Sequence, residues 1–129
     1  MKVNVTVLIL LCSMFLVSAQ ETDEINTEVL LGEWKLDMSP QNPNDNNFAM
    51  MRITSVDNNE MKGTFYREGV KLRNGRINTQ SAIIYGALIS GDNSGEYNSA
   101  FYFKNGKLYG STHAVQRGFL AIWVAEKIN

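Results

Sequence analysis

Residues 96–126 read Glu96-Tyr-Asn-Ser-Ala-Phe-Tyr-Phe103, Lys104-Asn-Gly-Lys107, Leu108-Tyr-Gly-Ser-Thr-His-Ala-Val115, Gln116-Arg-Gly118 and Phe119-Leu-Ala-Ile-Trp-Val-Ala-Glu126. Three runs of strand length are thus joined by two short turns. Asn105-Gly106 favours a type I′ hairpin, because both central residues of that turn need positive φ. In the first run Tyr97, Ser99, Phe101 and Phe103 alternate with Asn98, Ala100 and Tyr102, which is the period of a strand with two unlike faces. In the second, Leu108, Gly110, Thr112 and Ala114 alternate with Tyr109, Ser111, His113 and Val115. Connections this short leave no room for a crossover helix, so the strands are antiparallel.

The same grammar continues upstream. Gly32, Trp34 and Leu36 alternate with Glu33, Lys35 and Asp37 in a first strand, followed by a polar loop over residues 39–47. Strands are expected at 48–56, 60–67, 70–79 and 81–90, separated by Asp57-Asn58-Asn59, Glu68-Gly69 and residues 91–95. Asn74-Gly75 is open between a hairpin turn dividing two very short strands and a bulge within one. No long stretch has helical period. Eight short strands with tight successive turns form an all-β, up-and-down antiparallel meander, which removes its edges by closing into a barrel. An open two-sheet sandwich is the competing architecture, but it usually needs a long Greek-key connection.

The amino terminus reads differently. Lys2 precedes an apolar run over residues 7–17, then Val17-Ser18-Ala19, then the polar residues 20–24. That is the pattern of a secretory signal peptide cleaved after Ala19, and it predicts a secreted or periplasmic protein. The run is about half the length a membrane span requires, so no membrane anchor is expected. The expected organisation is a signal peptide over 1–19, a polar leader over 20–29 and a β-barrel domain over 30–129.

Cleavage discards Cys12, the only cysteine, and with it any disulfide, thiolate nucleophile or thiolate metal site. It also removes Lys2 from the twelve Lys and Arg, leaving eleven against thirteen Asp and Glu, a net charge near −2. The charges are interspersed, with no basic stripe, so no nucleic-acid partner is expected. His113 is the only histidine and has no carboxylate cluster at ligand spacing, so neither metal nor cofactor is expected. No Gly-x-Ser-x-Gly elbow is present, and the chain reads as non-enzymatic.

Gly32-Glu33-Trp34 resembles the Gly-x-Trp signature of lipocalins and avidins, in which the Trp plugs the closed end of a barrel. Gly63-Thr64-Phe65-Tyr66 resembles the Gly-Thr-Tyr segment of the avidin family, and the length is closer to avidin-like barrels than to lipocalins. The resemblance implies a structural role for Gly32 and Trp34 and a binding site at the barrel mouth or lumen. It does not extend to biotin. The family's binding Tyr falls on Phe65, which lacks a hydroxyl, and Trp123 is the only Trp besides Trp34. Asp37 and Ser39 would stand near the family's first polar loop.

These observations nominate Asp37, Ser39, Phe65, Tyr97, Ser99, Phe101 and Trp123 as ligand-binding residues of an exported barrel holding a small, largely apolar ligand. The alternative is a secreted interaction module, an inhibitor or assembly subunit, whose lumen is filled and whose loops or outer faces bind. Residues 82–89 and 119–125 are apolar on both faces, whereas a barrel hides only one. Their outer faces therefore call for a cover: a second subunit in a homo-oligomer, or the leader folded back around Ile25 and Val29.

Overall fold

The computed structural model describes residues 24–67 and 69–129; the expected signal peptide over 1–19 and the first residues of the expected leader lie outside the described residues. Eight strands follow one another around a closed antiparallel barrel: β1 Gly32–Asp37, β2 Phe48–Asp57, β3 Glu60–Tyr66, β4 Arg73–Asn78, β5 Tyr85–Asp92, β6 Gly95–Lys104, β7 Lys107–Ala114 and β8 Phe119–Lys127. Each pairs with its neighbours in sequence, and β8 closes the cylinder on β1 through Trp34↔Lys127, Lys35↔Glu126, Leu36↔Ala125 and Asp37↔Val124. The sandwich alternative is thereby set aside. No helix among the described residues is long and apolar enough to cross a membrane.

The hairpin at Asn105-Gly106 sets the register of β6 on β7. Both residues have positive φ, and the pairing Lys104↔Lys107 runs on without a slip to Tyr97↔Ala114. Because side chains alternate across a strand, this register sends Tyr97, Ser99, Phe101, Leu108, Thr112, Ala114, Trp123 and Ala125 inward, where all are buried. The other strands contribute Leu36, Met51, Ile53, Met61, Phe65, Ile77 and Leu88 to one contiguous core.

Asn74-Gly75 proves to be a bulge. The β4–β5 register shifts between Arg73 and Arg76, and Asn74 takes a φ of 50°. The seam between β3 and β4 is correspondingly thin, with pairs at Glu60↔Arg76 and Met61↔Gly75 and an isolated bridge at Thr64↔Lys71. The strand expected over 81–90 starts instead at Tyr85. Tyr85 already pairs with Tyr102, two residues short of the end of β6, so an earlier start would soon outrun its partner. Residues 79–84 turn there, with the Ala82 amide donating to the Thr79 carbonyl and Ala82 at a φ of 65°.

The end of the expected leader is structured. Thr27–Leu30 forms a 3-10 turn capped by Asn26, whose side chain accepts the Glu28 amide. Leu30 is fully buried, and its carbonyl accepts Trp34 Nε1 at 2.8 Å, so turn and Trp34 together close this end of the barrel. Ile25 and Val29 pack against the core as well, as part of this floor.

Two glycines make room for the largest inward rings. Gly86 lies opposite Phe101 and Gly110 opposite Trp123, and a Cβ added at either would stand 2.3 Å from the facing ring. Neither ring can retreat from a packed interior. Gly110→Ala is therefore expected to destabilise the barrel by about 1–3 kcal/mol through overpacking, measured as a lower urea midpoint at unchanged m-value; an unchanged midpoint would refute the close packing.

Candidate functional site

Three of the nominated residues meet in the lumen. Trp123 is tilted against Phe65 with centroids 6.1 Å apart and against Phe101 at 6.2 Å, and all three are buried. Trp123 Nε1 donates to Thr112 Oγ1 at 2.9 Å, and the Thr112 and Ser99 hydroxyls are bonded at 2.8 Å. The polar groups at mid-lumen thus satisfy one another while the rings occupy the space between the strands. An eight-stranded interior is only just wide enough for side chains, and this one is spent on aromatic packing.

Of the other nominated residues, Ser99 joins the triad through Thr112, whereas Asp37, Ser39 and Tyr97 lie toward the opposite end from Trp34. Tyr97 stacks on Tyr66 with centroids 6.1 Å apart, and its hydroxyl bonds to Ser94 in the β5–β6 turn. Ser39 is buried, its amide donating to Asp37 Oδ1 at 2.9 Å in a local turn after β1. Ser90, fully buried one strand from Tyr97, has the one buried side-chain oxygen without a partner among the described residues. Trp34 stands at the floor rather than in a ligand site.

The Asp92 carboxylate organises this upper rim. It accepts the side-chain hydroxyl of Ser94 and, at 2.8 Å, the Ser94 amide, with Arg67 3.2 Å away. These donors favour the ionised form, the Ser94 hydroxyl most, and hold the carboxyl below its ordinary range. At the other end Glu126 bonds Lys107 at 3.0 Å and raises the ammonium pKa. His113 points outward on β7 and is exposed. Among the described residues no group of three or more His, Cys, Asp or Glu is placed to hold a metal ion.

A recess on β5–β8 is lined by outward residues and, beneath them, by Gly86, Gly110 and the nominated Phe101 and Trp123. Across β5, β6, β7 and β8 the outward residues pair as Tyr85↔Tyr102↔Tyr109↔Val124 and, one row nearer the upper rim, as Ala87↔Ala100↔Ser111↔Ile122. The tyrosines form a ridge, with Tyr102 and Tyr109 stacked at 5.3 Å and Tyr85 and Tyr102 tilted at 6.0 Å. The small side chains beside them leave a groove of about 760 Å³, bounded also by Arg76 and Asn78. Tyr85 is 45% exposed and Ile122 55%, and Leu120, in the next row, reaches 63%. A separate outer patch of Phe48, Met50 and Tyr66 is part-covered by Lys35, whose ammonium sits 4.1 Å from the Phe48 centroid.

Part of this face is visible in the sequence. The Asn105-Gly106 turn pairs Tyr102 with Tyr109 as soon as its two-residue loop is assumed. Tyr85 could join them only once the β5–β6 register was known, since residues 91–95 do not state their own turn length.

No protein-family model matches this chain, nor does any curated protein or solved structure.

Two measurements follow from the lumen and the rim. Thr112→Val keeps the shape but strands Trp123 Nε1 and the Ser99 hydroxyl, at about 1–3 kcal/mol for each buried group left unpaired. Chemical denaturation should show that loss, with altered near-ultraviolet circular dichroism from Trp123. For Asp92, the carboxyl pKa is lower folded than unfolded, so its stabilisation is present above the unfolded value near 3.9 and fades as pH falls through the folded one. An NMR titration should place Asp92 below a peptide aspartate, and Asp92→Asn should flatten that part of the acid limb.

Proposed function

We propose that this chain is an exported, non-enzymatic interaction module, a lipocalin- or avidin-like barrel that binds through the outer face of β5–β8. The observation that carries this is the contrast between inside and outside. Phe65, Phe101 and Trp123 are spent on filling the lumen, while Tyr85, Tyr102 and Tyr109 stand in a row on the surface beside a groove. Exposed tyrosines cost free energy unless something covers them, and a contiguous apolar patch on a soluble domain marks a contact surface. Tyrosine is also among the residues that most often anchor interfaces, since it offers a large rigid area at little entropic cost.

A small apolar ligand in the lumen is the less favoured reading, because admitting one would require the aromatic triad to part. Export rests on the signal pattern of residues 1–19, with the working protein beginning at residue 20. The Gly32-Glu33-Trp34 motif, with Trp34 at the floor, supports the family resemblance, and Phe65 in the packed core is in keeping with the loss of a biotin site.

The test uses anilinonaphthalene sulfonate, a fluorescent apolar probe, with the chain at submicromolar concentration. Binding is expected to fall at least tenfold when Tyr102→Ser and Ile122→Ser are combined, and NMR shifts at saturation should centre on Ala87, Ala100 and Ser111. Shifts centred on Phe65, Phe101 and Trp123, or binding that survives the double substitution, would instead support the lumen carrier.

A further inference from the structure

The chain's five tyrosines include two stacked pairs with very different surroundings. At the upper rim Tyr66 lies against Tyr97 with centroids 6.1 Å apart, but Tyr97 is only 8% exposed and its hydroxyl is bonded to Ser94. On the outer face Tyr102 and Tyr109 stand directly opposite each other. Lys104↔Lys107 and Phe103↔Leu108 lead up to them from the Asn105-Gly106 turn in one unbroken register. Opposed residues on one face of an antiparallel pair hold their Cβ atoms about 4.5–5.5 Å apart. The two rings accordingly lie within 17° of parallel, with centroids 5.3 Å apart. Tyr102 is exposed and Tyr109 half-buried. The next outward pair toward the upper rim is Ala100↔Ser111, small enough to leave both rings room to turn about their side-chain torsions.

Two phenols held side by side in this way can be coupled by oxidation. A one-electron oxidant removes an electron and the phenolic proton from each ring, and the unpaired density of the resulting phenoxyl reaches the Cε carbons beside the oxygen. A Cε–Cε bond then forms between the rings. The hydrogen on each joined carbon leaves as a proton, and each oxygen takes a proton back to restore its hydroxyl. When the oxidant is a haem peroxidase, the two electrons and two protons given up reduce one hydrogen peroxide to two waters.

We propose that Tyr102 and Tyr109 are an oxidative cross-linking site, joined ring to ring as an intrachain dityrosine when the protein meets a one-electron oxidant of the peroxidase type. Cys12 is the only cysteine, so no disulfide can tie one part of this chain to another, and the tyrosine pair supplies a covalent tie that the composition otherwise lacks. The closed loop is short, from residue 102 to residue 109, so it removes little entropy from the unfolded chain and adds little global stability. Its effect is local: the β6–β7 hairpin no longer frays, and the ridge keeps one shape. Tyr85 is the rival partner, but its ring is farther from Tyr102, at 6.0 Å, and tilted by 52°. The site does not depend on what the outer face binds.

Photo-excited tris(bipyridyl)ruthenium with persulfate supplies the same one-electron oxidation in buffer and in urea. It is applied to the full chain at submicromolar concentration, with Cys12 alkylated so that no thiol quenches the radicals. The product should keep monomer mobility on a denaturing gel, fluoresce as dityrosine and weigh two hydrogens less, a change distinct from the oxygen gained by an oxidised methionine. Trypsin cuts after Lys104 and Lys107, so residues 77–104 should emerge joined to residues 108–117, with fragmentation placing the bond on Tyr102 and Tyr109. Tyr102→Phe and Tyr109→Phe keep the rings and should each lower the yield at least tenfold at unchanged far-ultraviolet circular dichroism, whereas Tyr66→Phe should leave it within twofold. Unfolding in urea should lower it at least fivefold. A bond mapped to Tyr85 and Tyr102 or to Tyr66 and Tyr97, coupling only between chains, or an equal yield in urea would each overturn the proposal.

Discussion

The rest of the structure depends on how little room an eight-stranded cylinder encloses. Inward side chains from all strands converge on an interior barely wider than they are, and here one level of it is given to Trp123, Phe65 and Phe101. Such rings fit only because the positions facing two of them, Gly86 and Gly110, carry no side chain. Volume is traded across the sheet, residue against residue, and packing at crystal-like density leaves few alternatives. The indole nitrogen must still find a partner in that interior, and Thr112, itself bonded to Ser99, provides it. The two hydroxyls on the lumen wall are therefore structural before they are anything else.

Closure has a second consequence, on the outside. A barrel hides one face of every strand and leaves the other to water, so whatever apolar surface the outward positions carry stays uncovered by the fold itself. Along β5–β8 those positions hold three tyrosines, two alanines, a serine, an isoleucine and a valine in two rows. Outside these two rows the outer surface carries ion pairs, Arg52 with Glu33, Arg73 with Glu96 and Lys107 with Glu126, beside the smaller apolar patch of Phe48, Met50 and Tyr66. Such exposed pairs contribute little to stability, but they keep the remainder of the cylinder wet. The contrast sets this sector of the barrel apart from the rest as the surface on which the proposed contact is placed.

Much of the fold was legible residue by residue. Asn105-Gly106 declared its hairpin, and the alternation in residues 96–103 and 108–115 separated the faces that the structure turns inward, with Phe101 and Thr112, from those it turns outward, with His113. Trp34 was readable as a floor plug from its place on the first strand. The start of β5 was not. Residues 82–84 are as apolar as a strand, yet they lie near the end of the neighbouring strand, and no local pattern records where a neighbour ends. Nor was the 3-10 turn at Thr27–Leu30 legible, because its stability comes from burying Leu30 and bonding Trp34 rather than from its own composition.

The candidate site divides along the same line. By itself the sequence determined that there would be eight antiparallel strands, which residues of the first, sixth and seventh would share a face, and that outward apolar positions would remain on the fifth and eighth. These are local matters, set by a period of two and by turns of two or three residues. Only the tertiary structure decided that the inward aromatics fill the lumen rather than line a pocket. Whether rings meet or leave a gap depends on register and shear around the whole cylinder, a distance summed over every strand. It also decided that Tyr85 stands beside Tyr102 and Tyr109, joining residues from three strands into one ridge.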